Sequence, residues 1–305
     1  MNTAFASRLD DYIAEHRYRL INSVLVYEND ELVFERYYNK FTPDSRDNIK
    51  SIWKSILSLT LGICLDRGLV GGLDEPVCRY LAPFNEDIHP YHKRLTLRHL
   101  LTMSSGIYWN GGVHYHCPMF EQLLRSRDWV SHIADVQMKA LPGSFFQYKE
   151  WDAALISAVI GKAAGVPAYE ICREFLYEPL EIQSGVWPIS KCGVNYNVMQ
   201  GEERSDLSAR DLAKIGRLML RGGEWNGRRI VSNDYIKSAA APSDAAAGYG
   251  LMWWIFESGF GGSGFGGQDL NVYPARNAVA VIQATPTPSS KFYGDVLAGM
   301  MDAYG

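Results

Sequence analysis

Three short stretches of the 305-residue chain carry side chains able to do chemistry. Ser51-Ile52-Trp53-Lys54 sets a hydroxyl three residues before an amine, so on a helix the two share a face. If Ser51 opens that helix, the free N–H groups and the dipole there favour negative charge on its oxygen. A lysine held in an apolar wall has its charged form penalised and becomes a usable base. The same tetrapeptide also reads as a capping serine with a snorkelling lysine, and it arises by chance about once in a chain this long. Gly262-x-Gly264-x-x-Gly267 matches the dinucleotide fingerprint in letters only. The residues after it begin with a strand, and no βαβ unit is available. His114-Tyr115-His116-Cys117 looks like a metal-ligand run, but it reads as a loop with no further ligand at helical or hairpin spacing. No cofactor and no metal are expected. A nucleophile elbow is also absent, because Phe265 stands where Gly261-Gly262-Ser263-Gly264 would need its final glycine.

The elements that must position these residues are legible in part. Residues 5–18 read as an amphipathic helix, then 23–28 and 32–38 as strands joined at Asn29-Asp30 in a hairpin. Residues 51–67 are apolar on nearly every face, which predicts a buried helix, with Gly68 as its cap. Short helices are expected over 97–103, 119–124, 128–134, 151–164 and 208–220. Strands are expected over 251–256, 270–273 and 278–283, separated by a glycine-rich turn and by residues 274–277, with a closing helix over 294–301. Strands at both ends, each set flanked by a helix, predict an α+β fold with one antiparallel sheet built from both termini. The expected division is a discontinuous sheet domain over 1–60 and 221–305, a mostly helical region over 61–220, and a site where they meet.

Composition narrows the partners. Hydrophobic residues at 47% and charged residues at 21% describe a globular chain. A net charge of -4 removes the whole-chain electrostatic case for nucleic acid. The longest strongly apolar run, 55–65, is too short to span a bilayer, so no membrane is expected. Five scattered cysteines without a CxxC pair, behind an N-terminus with no apolar leader, suggest a cytoplasmic protein with reduced thiols.

Five stretches in register, from about residue 49 to residue 283, resemble the class C β-lactamases and penicillin-recognising serine hydrolases. They are NIKSIWKSILSLTLGICLDRGLV with LDEPVCRYLAPF, LTLRHLLTMSSGIYW, the run from Pro142 through Phe146-Gln147-Tyr148 to EFLYEPLEI, SDLSARDLAKIGRLMLRGGEWNGRRIVS, and GYGLMWWIF with GFGGSGFGGQDLNVYP. The second half is most similar to the 6-aminohexanoate-dimer hydrolase branch of esterases and amidases. The resemblance implies a β-lactamase/transpeptidase-like fold, with Ser51 as the acylated nucleophile and Lys54 and Tyr148 as the proton-transfer pair. It puts the family's third motif on Gly262, Ser263 and Gly264, and the oxyanion-hole N–H groups on Ser51 and Phe265. Glu150, Gly262, Ser263 and Gly264 become candidate substrate-binding residues, with Trp109, His114 and Trp187 as candidate walls of the cleft.

Two positions depart from the pattern. Glu150 stands where many relatives have Asn or Ser, and Gly262 stands where they have Lys or His. Both make the cleft more negative, which predicts poor turnover of anionic β-lactams, a gain for substrates carrying an amine, and activity needing a higher pH. The expected substrate is a small ester or amide. A true β-lactamase, a D-amino-acid peptidase and a non-catalytic sensor on the same fold stay open at this point.

Overall fold

The computed structural model describes residues 7, 10, 11, 13–15, 20–86, 89–111, 117–197 and 205–286. Its centre is a six-stranded antiparallel sheet in the order β2-β1-β10-β9-β8-β7. Strands β1 (Ile21–Glu28) and β2 (Glu31–Tyr37) form the expected hairpin. Asn29 and Asp30 both take positive φ, 49° and 67°, the handedness a two-residue hairpin turn needs. The C-terminal strands are β7 (Trp254–Phe256), β8 (Gly259–Gly264), β9 (Gln268–Tyr273) and β10 (Ala278–Ala284). The sheet is therefore built from both ends of the chain, joined where β1 pairs with β10. Two small ladders complete the strands: β3 (Arg46–Asn48) with β4 (Asp206–Ser208), and β5 (Glu224–Trp225) with β6 (Arg228–Arg229).

The sequence reading of the C-terminal strands needs two corrections. The glycine-rich stretch expected as a turn supplies β8. Glycines are poor strand formers, but here their missing side chains let the strand lie against a helix, so packing outweighs propensity. The strand expected from residue 251 begins only at Trp254, because Met252 takes a φ of 62°.

The buried helix is α1 (Ile52–Asp66), with every residue from Ile52 to Cys64 buried. It ends as a Schellman motif: Leu69 N–H reaches the Cys64 carbonyl at 2.9 Å and Gly68 N–H the Leu65 carbonyl at 3.0 Å, with Gly68 at φ +70°. The helical region adds α2 (Leu97–Leu101), α3 (Pro118–Arg125), α4 (Trp129–Ala134), α5 (Glu150–Ala164) and α6 (Ala168–Cys172). Helix α1 packs on α5 and α6 on one side and on β8 and β9 on the other. Two further helices follow, α7 (Ala209–Leu220) and α8 (Asn233–Ala239). The sequence reading missed α6 and α8, short segments that carry little periodic signal. The expected helices over 5–18 and 294–301 lie mostly or wholly outside the described residues.

Although α7 falls within 61–220 by number, it lies on the sheet against β9 and β10. Gly216 makes that approach possible, since a Cβ there would come within 2.5 Å of Val279 Cγ1 and 2.9 Å of Leu270 Cδ1. Gly216→Ala should therefore destabilise the fold by about 1–3 kcal/mol, although alanine is the better helix former. Urea unfolding measures this, and a rise in stability would show that the contact yields freely.

Candidate active site

Ser51 sits at the N-terminus of α1 in helical conformation, with no side-chain capping bond, so its hydroxyl is left to other partners. The residue before it, Lys50, takes a φ of 51°, a conformation that costs a non-glycine side chain about 1 kcal/mol or more. That bend is pinned on both sides. Asn48 Oδ1 accepts from Lys50 N–H at 2.8 Å, and the Asn197 side-chain amide donates to the Lys50 carbonyl. The pairing of β3 with β4 and the Ile49 N–H bond to the Ser205 carbonyl hold the approach from behind.

One turn into α1, Lys54 Nζ reaches Ser51 Oγ at 3.2 Å and Glu150 Oε1 at 2.8 Å. It also stands 5.0 Å from the Tyr148 ring centroid. The Lys54 side chain is 3% exposed and that of Glu150 is 29% exposed. Glu150 is the first residue of α5, where a carboxylate suits the dipole. Burial pushes the Lys54 pKa down, but Glu150 and then Tyr148 outweigh it and hold the ammonium above the ordinary lysine range. The expectation of a lysine kept unprotonated by an apolar wall is thus corrected: the wall includes a carboxylate. Glu150 is bonded to Lys54, so its charge is compensated, and the negative cleft expected from the sequence is correspondingly weakened.

The third motif runs along β8 with alternating faces. A Cβ on Gly262 would lie 3.0 Å from Ser55 Oγ and 3.2 Å from Ile52 Cγ2, and one on Gly264 would lie 2.6 Å from the Ile49 carbonyl oxygen. Both glycines bring the strand's backbone against α1 and the residues leading into Ser51, and Phe265 follows directly. A side chain at 262 would crowd Ser55 and Ile52, which would have to give by a few tenths of an ångström to admit it. Ser263 points to the opposite face and bonds to Asp269, which corrects its expected place among the substrate-binding side chains.

Asp269 is 3% exposed, and its Oδ2 has no hydrogen-bond partner among the described residues. Burial pushes its pKa up to about 6, against the hydrogen bond from Ser263. The folded protein then holds a proton that the unfolded chain loses above about pH 4, so this group makes stability fall as pH rises from about 4 to 6. Asp269→Asn should raise stability at pH 7 by up to about 3 kcal/mol and change it little at pH 4. Unfolding curves at the two pH values check this; equal effects at both would remove the titration as the cause.

The remaining candidates divide. Trp109 packs edge-on against Trp151 at 4.8 Å between ring centroids, and its carbonyl accepts from the Gln147 side chain, one residue before Tyr148. Trp187 is a correction: it is 1% exposed, lies 5.4 Å from Trp53, and is a core residue rather than a cleft wall. His114 lies outside the described residues. Sequence reasoning missed Trp254, whose ring stacks on Tyr148 at 5.6 Å with an interplanar angle of 21°. Phe146 and Tyr249 pack beside it. The signal was the clustering of aromatics in GYGLMWW, one stretch upstream of the third motif.

Sequence reasoning also missed a buried network behind the site. Lys149 lies between Tyr148 and Glu150, and its Nζ is 3.0 Å from Ser105 Oγ and 3.5 Å from Asp152 Oδ2. Ser105 Oγ donates to Asp152 Oδ1 at 2.6 Å. Both charged side chains are fully buried. Among the described residues no three His, Cys, Asp or Glu side chains gather as metal ligands would.

A sheet built from both termini, a buried helix opening on a serine, a lysine one turn in, and a glycine-rich strand against them define the β-lactamase/transpeptidase class of fold. The chain belongs to the Beta-lactamase family, whose model matches residues 9–298. It is 23% identical over 326 aligned residues to the 6-aminohexanoate-dimer hydrolase of Paenarthrobacter ureafaciens, covering 98% of this chain and 81% of that one. EstCE1, described as a hydrolase with promiscuous acyltransferase activity, superposes with a TM-score of 0.78 at 16% identity, with 99% of each chain covered. A D-stereospecific amidohydrolase from a Streptomyces species superposes with a TM-score of 0.74 at 16% identity, covering 99% of this chain and 98% of that one. The curated relative and these two structural neighbours are all named as hydrolases.

Proposed function

We propose that the protein is a serine hydrolase that cleaves a small, neutral ester or amide through an acyl-enzyme on Ser51. One observation carries the reading: Lys54 Nζ stands 3.2 Å from Ser51 Oγ at the mouth of a buried helix. Ser51 Oγ attacks the carbonyl carbon as its proton passes by way of Lys54, beside which Tyr148 stands, and a proton returns by the same way to the leaving alcohol or amine. The backbone N–H groups of Ser51 and Phe265 hold the tetrahedral oxygen, two fixed donors typically worth a few kcal/mol of barrier. Water then releases the acyl group. Hydrolase names among the family relatives support this chemistry, and because Lys54 and Glu150 compensate each other, neither is left to attract a charged group on the substrate.

A fluorophosphonate probe followed by intact-mass spectrometry tests the nucleophile, and one adduct per chain at Ser51 is expected. On the same sample, p-nitrophenyl esters, nitrocefin and short amino-oligoamides rank the substrates, with ester cleavage ahead of nitrocefin. A protein that gains no adduct and turns over none of the three would be a binding module on this fold.

A further inference from the structure

An ammonium group has no lone pair with which to take a proton from serine. Lys54 Nζ is held as such a group by Glu150 Oε1 at 2.8 Å, while it donates to Ser51 Oγ at 3.2 Å. The three groups form one chain of hydrogen bonds from the nucleophile to a carboxylate at the start of α5. The geometry points to Glu150 as the terminal proton acceptor of the site, with Lys54 as the relay between it and Ser51. This rests on the serine-hydrolase reading above.

As Ser51 Oγ forms its bond to the carbonyl carbon, its proton moves to Lys54 Nζ, and one Lys54 N–H proton moves to Glu150 Oε1. Lysine carries three protons before and after. The serine O–H bond is broken, a carboxylic O–H bond is formed, and the electron pair left on Oγ makes the new C–O bond. Collapse of the tetrahedral species sends the proton back along the same route to the leaving group. In deacylation water supplies the proton, and Ser51 recovers it.

Other groups also face Glu150, and one of them, Tyr148, bonds to Lys54 as well. Tyr148 precedes it by two residues, Cys117 approaches from the residue before α3, and Tyr249 from the loop before β7. Lys149, just before the helix, and Asp152, on it, are engaged with each other and with Ser105. Lys54 is the cation bonded to it.

Two readings of the pair predict opposite results. If Lys54 alone were the base, Glu150 would hinder it, and Glu150→Gln would raise activity near neutrality and move the rising limb of kcat/KM to lower pH. The relay requires the reverse. Glu150→Gln should lower kcat/KM for a p-nitrophenyl ester at pH 7 by about 10²-fold or more, and move the rising limb up by about one to two pH units. Glu150→Asp keeps a carboxylate, so it should leave the limb where the wild type has it while kcat falls less. Acylation bursts from pH 5 to 10 on the full chain read both variants, and thermal melts confirm that each is folded. Should Glu150→Gln fail to fold, Glu150→Asp decides alone, and an upward shift of about one unit or more in that variant overturns the relay. A limb unmoved or lowered in Glu150→Gln overturns it equally. Fluorophosphonate labelling of the same wild-type sample separates the two levels. Without labelling at Ser51 the serine-hydrolase reading fails; with labelling and a contrary pH profile, only the relay fails.

Discussion

Ser51→Ala should abolish turnover, to about 10⁴-fold or more below wild type, with the fold unchanged. The substitution removes one oxygen at a helix start. That oxygen makes no capping bond, so the backbone loses no partner with it. Lys54 keeps its stronger partner, Glu150 at 2.8 Å, so no buried cation is stranded. Lys54→Ala differs in kind, because it also takes the partner from Glu150 and opens a space in a wall that is otherwise fully buried. It should cost activity by a similar factor and stability as well. Combined with Ser51→Ala it should add little further loss of rate, since the groups act as a unit. Ester hydrolysis and urea unfolding on the three variants give the comparison. Ester cleavage surviving in Ser51→Ala, after excluding contaminating esterase by labelling, would remove Ser51 as the nucleophile.

Asp152→Ala should lower stability by about 3–5 kcal/mol, the largest single effect expected on the fold. Lys149 would then be a fully buried ammonium left, among the described residues, with the Ser105 Oγ hydrogen bond. Burial already pushes the Asp152 pKa upward, against the pull of Lys149 and of hydrogen bonds from Ser105, so the pair is held together at a desolvation cost. Replacing both charges, as Lys149→Met with Asp152→Leu, should recover a good part of the loss, because no charge is left uncompensated. Activity should not recover with it. Lys149 lies between Tyr148 and Glu150, and Ser105 ties that segment to the loop after α2, so the network sets where both side chains stand. Denaturant midpoints and kcat on the single and double variants separate the two effects. A single variant as stable as wild type would mean that water reaches Lys149.

Periodicity and propensity placed the hairpin, α1 and most helices of the middle region to within a few residues, because each has a strong local signal. Helix α1 shows where that signal stops. It reads as apolar on nearly every face, yet Ser55, Ser58 and Gly62 form a stripe of small residues against other elements. Ser55 Oγ donates to the Met252 carbonyl at 2.7 Å, and Ser58 meets the Tyr235 hydroxyl at 2.8 Å. Gly62 leaves room for the Tyr235 ring, since a Cβ would come within 2.5 Å of it. Such contacts depend on partners some 180 residues away, which no local window contains. The same holds for the site. The spacing of Ser51 and Lys54 marks them as candidates, the family resemblance adds their roles and Tyr148, and the structure brings the three together. The bond between Lys54 and Glu150 joins residues 96 positions apart, so only the fold shows that the lysine's partner is a carboxylate.

The pairing of β1 with β10 has a consequence for how the chain comes to fold. Ile21 lies opposite Ala284, so the sheet cannot close until the chain is available as far as residue 284. A two-stranded hairpin such as β1–β2 is marginal by itself, and contacts this distant in sequence make folding slow. The strand that abuts the approach to Ser51, β8, belongs to the same late segment. A ribosome-bound chain that has exposed Ser51, Lys54 and Tyr148 but not yet β8 holds the reactive side chains without the wall that completes their site. Chemistry would then begin only after β8 has been made and has docked. Two fragments divided ahead of β7 should each be inert and should gain activity together, at a rate set by their concentrations.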